Sequence, residues 1–278
     1  MSDGNIPLLV VRSSDFKTGQ NSIARVWEEA VFHCWTEGCQ IRTEYDKPDD
    51  PASRDCRLVA EIDDPFKEPR IHRNFPGGLE DLEVYKQEVV NGIHDKWVDT
   101  SLTSTKWPYS YHHRGDGYFV DPEGHIINQF LYVVTKLTET PHTRRALISM
   151  WDPRFDPLRN DPPCIQYVWV RILEDVLNMD VHIRSNDGYK AAFMNWFALT
   201  ELQKWIAILV GERLGREIKV GRFVWMADSF HICGSYFDEF KLFLNALETC
   251  SFEERTWTTE FAEPIFEEAR EKLAKGKK

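Results

Sequence analysis

Apolar residues recur at spacings of three and four along six stretches of the chain, which is the period of a helix with one buried face. This pattern predicts helices over 22–36, 81–92, 127–138, 189–210, 237–248 and 261–274. Shorter apolar segments predict strands over 6–11, 56–62, 144–151, 165–173, 175–184 and 218–227. The 278 residues suffice for one large α/β core or two modest domains. Because no repeat or low-complexity block divides the chain, one domain over residues 1–278 is the simplest interpretation.

Two of these segments place polar side chains at defined positions. In 177–184 apolar residues alternate with polar ones, as in a strand with one apolar face, and Arg184 ends this segment on the polar face. In the following helix Asn195 stands at one end of a leucine and isoleucine stripe that steps by three and four. A buried amide needs partners, because leaving it unpaired costs about 1–3 kcal/mol. Those partners are either backbone groups or the polar edge of a ligand.

The charge balance argues against a polyanionic partner. The chain has 34 Lys and Arg against 45 Asp and Glu, a formal net charge of −11. Nucleic-acid affinity depends on cations that neutralise phosphates, so we expect no nucleic-acid partner. A small anion can still be held by a few converging arginines. Aromatic residues make up 13% of the chain and supply buried area and stacking surfaces for flat ligands.

Cysteine usage and apolar run lengths indicate an intracellular protein. The six cysteines form no CxxC pair, which favours reduced thiols. Residues 1–4 offer no basic region, and the apolar run 6–10 is too short for a signal segment. No stretch reaches the length of a membrane span. We therefore expect a cytoplasmic location without a membrane partner.

Several residue types suit covalent chemistry. Cys164 directly follows two prolines, which fix the approach of the chain, and neighbouring arginines are expected to lower its pKa by favouring the thiolate. Arg144 and Arg145 precede a predicted strand and are expected to point to opposite faces. Glu88 lies on a predicted helix and is either a general acid or base or an exposed carboxylate.

Other chemistries lack their motifs. The chain contains no HExxH or paired CxxC spacing, so we predict no metal centre. It also lacks a dinucleotide-binding glycine pattern, a phosphate-binding P-loop and a GxSxG elbow. Segments 44–55 and 64–80 are rich in Asp, Pro and Arg and are predicted to be long surface loops, the first carrying Arg54.

In its order of motifs the chain resembles the thymidylate synthase family over about residues 143–236. The matching elements are Arg144-Arg145, Trp151-Asp152, Pro163-Cys164, Arg184-Ser185-x-Asp187, Asn195, and Asp228 with His231. Upstream, Glu88 resembles the family's catalytic glutamate, Tyr109 or Tyr111 its active-site tyrosine, and Arg54 the phosphate-binding arginine of its flexible loop. The resemblance implies a large mixed sheet flanked by helices and a sheet-packed homodimer.

The resemblance also implies a reaction and a role for each residue. The thiolate of Cys164 would add to carbon 6 of a pyrimidine nucleotide monophosphate, so that carbon 5 can attack a methylene group from methylene tetrahydrofolate. Glu88 and Tyr109 would complete the catalytic set, and Asp187 would contact the folate pterin. Asn195 would pair with the pyrimidine edge, and His231 would lie near the sugar hydroxyl. The phosphate would be held by Arg54, Arg184 and Ser185, with Arg144 and Arg145 reaching across the dimer.

Departures from the family pattern indicate a divergent member. Ile165 stands where the family usually has a His after the nucleophile, and Cys233 stands where a tyrosine is expected two positions after His231. Residues 272–278 lack the short apolar end that seals the site in ordinary members, and a less closed site favours capture of the intermediate by water. The resemblance implies dUMP methylation, with 5-hydroxymethylation of dUMP, dCMP or CMP as the alternative and a non-catalytic nucleotide-binding protein as the lesser one. Asn195 favours uracil, since an amide can donate to O4 and accept from N3–H.

Overall fold

The computed structural model describes residues 5–276, so Met1–Gly4, on which part of the signal-segment argument rests, and the last two residues of the 272–278 tail lie outside the description. Its centre is an eight-stranded mixed sheet of β1 (Leu8–Arg12), β2 (Cys39–Ile41), β3 (Ser53–Ile62), β5 (Leu147–Ser149), β6 (Ile165–Leu173), β7 (Val176–Ile183), β8 (Asn186–Asp187) and β9 (Lys219–Ile232). The main path runs β1-β3-β9-β7-β6-β5, with β2 beside β3 and β8 beside β9. β4 (Ile71–His72) and β10 (Thr256–Trp257) form a separate pair.

Seven helices accompany the sheet within the described residues: α1 (Ile23–Glu37), α2 (Leu79–Asn91), α3 (Tyr111–Asp116), α4 (Gln129–Glu139), α5 (Ala192–Leu214), α6 (Phe237–Thr249) and α7 (Thr259–Gly276). α1 and α5 pack on one face of the sheet, and α2 packs between α5 and α7. The six predicted helices are all present, with ends shifted by a few residues. The mixed sheet with flanking helices is confirmed, whereas the division into domains stays a prediction. No helix in the range 5–276 is long and apolar enough to cross a membrane.

Alternation along the strands produces the core. In β7 the apolar residues Leu177, Met179, Val181 and Ile183 are buried, and the polar residues between them are half-exposed, as the pattern predicts. β6 and β9 alternate in the same way, so one face of the sheet is sealed under α1 and α5. The residues of the other face remain half-exposed or exposed.

Buried aromatic residues hold the segment around β8 in place. Trp27, fully buried on α1, donates its indole N–H to the carbonyl oxygen of Gly188 at 2.8 Å. A Cβ atom at Gly188 would approach the ring of Phe230 to 2.6 Å, so only glycine fits without a shift of that buried ring. This close packing determines where Asp187 lies.

Two strand predictions and both loop predictions were wrong in part. Within 64–80, predicted as a surface loop, β4 forms and Arg70, Ile71 and His72 are buried. The strand predicted from residue 144 begins only at Leu147, because Arg144 and Arg145 are exposed and precede the ladder with β6. The strand predicted to end at 227 continues to Ile232, which carries His231 into the sheet. The loop predicted over 44–55 ends earlier, because Arg54 pairs within β3 against β2 and β9.

Candidate active site

A cavity of about 460 Å³ opens where β6 begins and β7 ends, beside the first turn of α5. Seven of the residues singled out from the sequence line it: Glu88, Tyr109, Cys164, Ser185, Asp187, Asn195 and His231. A larger groove of about 630 Å³ between the end of α5 and the start of β9 contains neither cysteine nor histidine. A groove of about 740 Å³ beside α3 contains His113 but no cysteine. The smaller cavity differs from both in containing a thiol, Cys164.

Arg184 holds Cys164 in place. Its guanidinium donates hydrogen bonds to the carbonyl oxygens of Pro162 at 2.8 Å and Pro163 at 3.2 Å. Its backbone N–H donates to the carbonyl of Cys164 at 2.9 Å. These bonds tie the proline segment before β6 to the end of β7, so the thiol has a fixed position at the cavity wall.

The pKa of the Cys164 thiol lies above its usual range, contrary to the expectation that arginines would lower it. Burial is the main cause, because a thiolate loses hydration in the cavity wall. The Arg184 guanidinium acts in the expected direction and lowers the pKa, while Asp161 raises it. Burial outweighs the arginine, so the thiol is protonated near neutral pH.

Alkylation of Cys164 should report this balance. We expect iodoacetamide to label Cys164 more slowly than free cysteine at pH 7, with a rate that still rises above about pH 9, because only the thiolate reacts. Arg184→Met should slow labelling further by about threefold or more, whereas Arg184→Lys keeps the cation and should slow it less. Peptide mass spectrometry follows the modified residue. Rapid, pH-independent labelling at neutral pH would contradict the assignment.

Three phenols surround the thiol. Tyr85, Tyr109 and Tyr111 line the cavity, and the rings of the last two lie 5.5 Å apart. Burial raises the pKa of each phenol, so all three remain protonated and can donate hydrogen bonds. Tyr85 had no predicted role; it is found only because α2 packs on α5.

Asn195 and Glu88 are each oriented by a neighbouring side chain. The Tyr85 hydroxyl donates to Asn195 Oδ1 at 2.6 Å. The carboxylate of Glu88 accepts from His94 Nδ1 at 2.9 Å, and the His94 ring stacks on Trp97. Glu88 is thus a half-buried cavity residue and not a freely exposed helix carboxylate.

The far rim of the cavity carries His231 and Asp187. His231 Nδ1 lies 3.1 Å from Ser229 Oγ, whose hydroxyl donates to Asp55 at 2.7 Å. Since Ser229 has one proton and gives it to Asp55, it accepts from His231 Nδ1; in the neutral imidazole this leaves Nε2 as an acceptor. Asp187 accepts a hydrogen bond from the Tyr236 hydroxyl at 2.5 Å.

The cysteine that stands two positions after His231 joins this rim. Asp187, His231 and Cys233 bring potential ligand atoms within 4.8 Å of one another. The Asp187 carboxylate already accepts from Tyr236 and from the backbone N–H groups of Tyr189 and Lys190 at the start of α5. The oxygens of Asp187 are thus already used as acceptors by those donors. The absence of a metal centre stays a prediction.

Four predicted phosphate ligands do not line the cavity. Arg54 was expected on a flexible loop but lies in β3, where its guanidinium donates to the Gly38 carbonyl and stands over the Trp35 ring. Arg144 and Arg145 are exposed before β5, and Arg184 turns toward the prolines.

The fold and this cavity define a mixed α/β protein in which a thiol, three phenols, an amide and an imidazole surround one pocket. The family model described as thymidylate synthase matches residues 76–255. A protein named "putative thymidylate synthase" from Methanocaldococcus jannaschii is 27% identical over 218 residues, covering 76% of this chain and 87% of the relative. One of the same name from Methanococcoides burtonii is 23% identical over 227 residues, covering 82% and 94%. The chain belongs to the thymidylate synthase family.

Proposed function

We propose that the protein transfers a one-carbon unit from methylene tetrahydrofolate to carbon 5 of a pyrimidine nucleotide monophosphate through an adduct with Cys164, with dUMP methylation to dTMP as the reaction. The observation that supports this most directly is the presence of Cys164 and Asn195 in one cavity, although they come from different elements. A thiol beside an amide that can read a base edge suits covalent addition to a pyrimidine.

The first step is carried by Cys164. Its sulfur gives up its proton to a water molecule and forms a bond to carbon 6 of the uracil ring, and the electrons of the 5,6 double bond move toward oxygen 4. The protonated phenol of Tyr109 can donate to the oxygen on which charge develops. Carbon 5 thereby becomes able to attack an electrophilic carbon, and expulsion of the thiolate at the end restores the double bond.

The remaining polar residues would hold the nucleotide. Asn195 would pair with the base edge, and His231 Nε2 would accept from a sugar hydroxyl. Ser185 would bind the phosphate together with Arg184. Arg54, Arg144 and Arg145 are proposed to approach it from outside the cavity, the last two from a second subunit.

The cavity also offers groups that suit a folate. Trp107, a half-exposed indole in its wall, offers a stacking surface, and Asp187 offers a carboxylate for the pterin N–H groups. When bound, methylene tetrahydrofolate supplies the one-carbon unit and, in methylation, a hydride. Glu88, held by His94, is placed to move protons with ordered water while carbon 5 loses its hydrogen.

One observation favours hydroxymethylation as the second candidate. Residues 259–276 form α7, which packs on α2, and none of them lines the cavity. A site not covered by this segment gives water access to the exocyclic methylene group that forms on the nucleotide, and water addition there leaves a hydroxymethyl group.

A single assay tests the proposal. The protein is mixed with methylene tetrahydrofolate and dUMP, dCMP or CMP, dihydrofolate is followed by absorbance and the nucleotide product is weighed by mass spectrometry. We expect dUMP to gain a methyl group with one dihydrofolate formed per product. A hydroxymethyl product without dihydrofolate would support the second candidate, and binding without turnover of any nucleotide would contradict both.

We further propose a homodimer that packs through the open face of the sheet. Val10, Val59, Met226, His182 and Tyr167 lie in register across five strands, all on that face and all partly exposed. Such a largely apolar row suits an isologous interface. Light scattering should give twice the 32.6 kDa chain mass, and Met226→Asp should halve it. A monomeric wild-type protein would contradict the dimer.

A further inference from the structure

Tyr85 is the cavity phenol that donates a hydrogen bond to the amide proposed to read the base. Its hydroxyl donates to Asn195 Oδ1 at 2.6 Å and joins α2 to α5 across 110 residues of sequence. Burial keeps the phenol protonated, so it remains a donor throughout the working pH range. The carbonyl end of the amide is therefore directed at Tyr85.

The other end of the amide is left for the cavity. Within residues 5–276 Asn195 Nδ2 has no hydrogen-bond partner, and Asn195 itself lines the cavity. In the opposite orientation Nδ2 would donate to the Tyr85 oxygen, and the phenol proton would need another acceptor. A buried hydroxyl without an acceptor is unfavourable, so the contact disfavours that orientation.

We propose that Tyr85 determines base selectivity by fixing the Asn195 amide with its N–H group toward position 4 of the pyrimidine, which selects uracil over cytosine. This inference rests on the proposed function, because it presumes that Asn195 meets the base. Tyr85 acts through Asn195 and is a positioning residue, not a catalytic one.

The selection follows from the donors and acceptors of the two bases. Uracil presents an acceptor at O4 and a donor at N3–H, whereas cytosine presents a donor at its 4-amino group and an acceptor at N3. A fixed Nδ2 donates to O4, and the second lone pair of Oδ1 accepts from N3–H. Cytosine would set its amino group against Nδ2 and its N3 lone pair against Oδ1, so both contacts would be repulsive.

The test is the ratio of dissociation constants for dUMP and dCMP, measured by calorimetry. We expect wild type to bind dUMP at least about tenfold more tightly, which corresponds to about 1.4 kcal/mol. Tyr85→Phe removes only the hydroxyl and frees the amide to turn, so the ratio should fall to within about threefold. Tyr118→Phe removes a phenol hydroxyl that lies outside the cavity and donates to Asp152 at 3.0 Å, so it should keep the wild-type ratio.

The outcomes separate this inference from the function on which it rests. General loosening of the site would weaken both nucleotides alike and leave the ratio unchanged, so a Tyr85→Phe protein with the wild-type ratio overturns the role of Tyr85. Wild type that prefers dCMP overturns it as well. Wild type that binds neither nucleotide removes the proposed function itself. If the Phe protein does not fold, as judged by its melting curve, Tyr85→Leu serves for the same comparison.

Discussion

Replacing Cys164 by Ser should reduce kcat on the order of 10⁴-fold while nucleotide affinity changes little. A serine hydroxyl ionises far less readily than a thiol and is a harder nucleophile, so addition to carbon 6 becomes slow. Asn195, Ser185 and His231 keep their places in the cavity wall, because their contacts do not involve the Cys164 sulfur. Turnover with dUMP and a binding titration on the same sample measure the two effects separately.

Cys250 supplies the matched control for this substitution. It is an exposed thiol at the end of α6 and does not line the cavity. Cys250→Ser should retain the wild-type rate. If Cys164→Ser kept activity within tenfold of wild type, the covalent mechanism would be excluded and another nucleophile would have to be sought.

Removing the guanidinium of Arg114 should destabilise the fold by about 3 kcal/mol, because the buried Asp156 carboxylate loses two hydrogen bonds from a cation. That carboxylate keeps Arg159 at 3.5 Å and the backbone N–H of Asp152. Arg114 and Asp156 are both fully buried and joined by two hydrogen bonds of 3.1 and 2.6 Å. The guanidinium also stands 3.9 Å from the centre of the Tyr118 ring. We expect Arg114→Leu to lower the urea midpoint markedly. Since Arg114 belongs to α3, which begins with Tyr111, nucleotide binding should weaken too.

An ion pair that is exposed on both sides provides the comparison. The Arg216 guanidinium lies 3.0 Å from the Asp175 carboxylate and both side chains are half exposed, so Arg216→Leu should leave the urea midpoint almost unchanged. Combining Arg114→Leu with Asp156→Leu removes both charges and should recover part of the lost stability. If the Arg114→Leu protein were as stable as wild type, the Asp156 carboxylate would not need the Arg114 guanidinium as its partner.

The long elements were predictable because their periods are local. The alternation in β7 and the stripe in α5 depend on residues a few positions apart, and both were confirmed. The short α3 and the two-residue strands β4, β8 and β10 are too brief to have a readable period. β9 was predicted too short because Asp228 and Ser229 interrupt its apolar pattern, yet pairing with β3 and β8 continues past them.

The motifs predicted which residues line the cavity better than they predicted how those side chains are oriented. Seven of the eleven predicted residues line it, but Arg54 was placed on a loop because its flanks are polar, whereas ladder bonds to β2 and β9 hold it in a strand. The hydrogen bonds of Tyr85 and Tyr236 could not be predicted, since each joins helices or turns distant in sequence. The pKa of Cys164 depends on burial, which no motif encodes.

Because the Arg184 guanidinium is bound to the proline carbonyls and the Cys164 thiol is protonated, we expect this thiol to resist oxidation. A thiol that is seldom ionised is oxidised slowly by peroxide. Cys164 should therefore stay reduced under oxidising conditions that would convert a low-pKa cysteine to sulfenic acid. The same property bears on inhibitor chemistry. Simple electrophiles should show little selectivity for Cys164 over other cysteines. An effective covalent inhibitor would have to resemble a nucleotide closely enough to place its reactive group next to the sulfur.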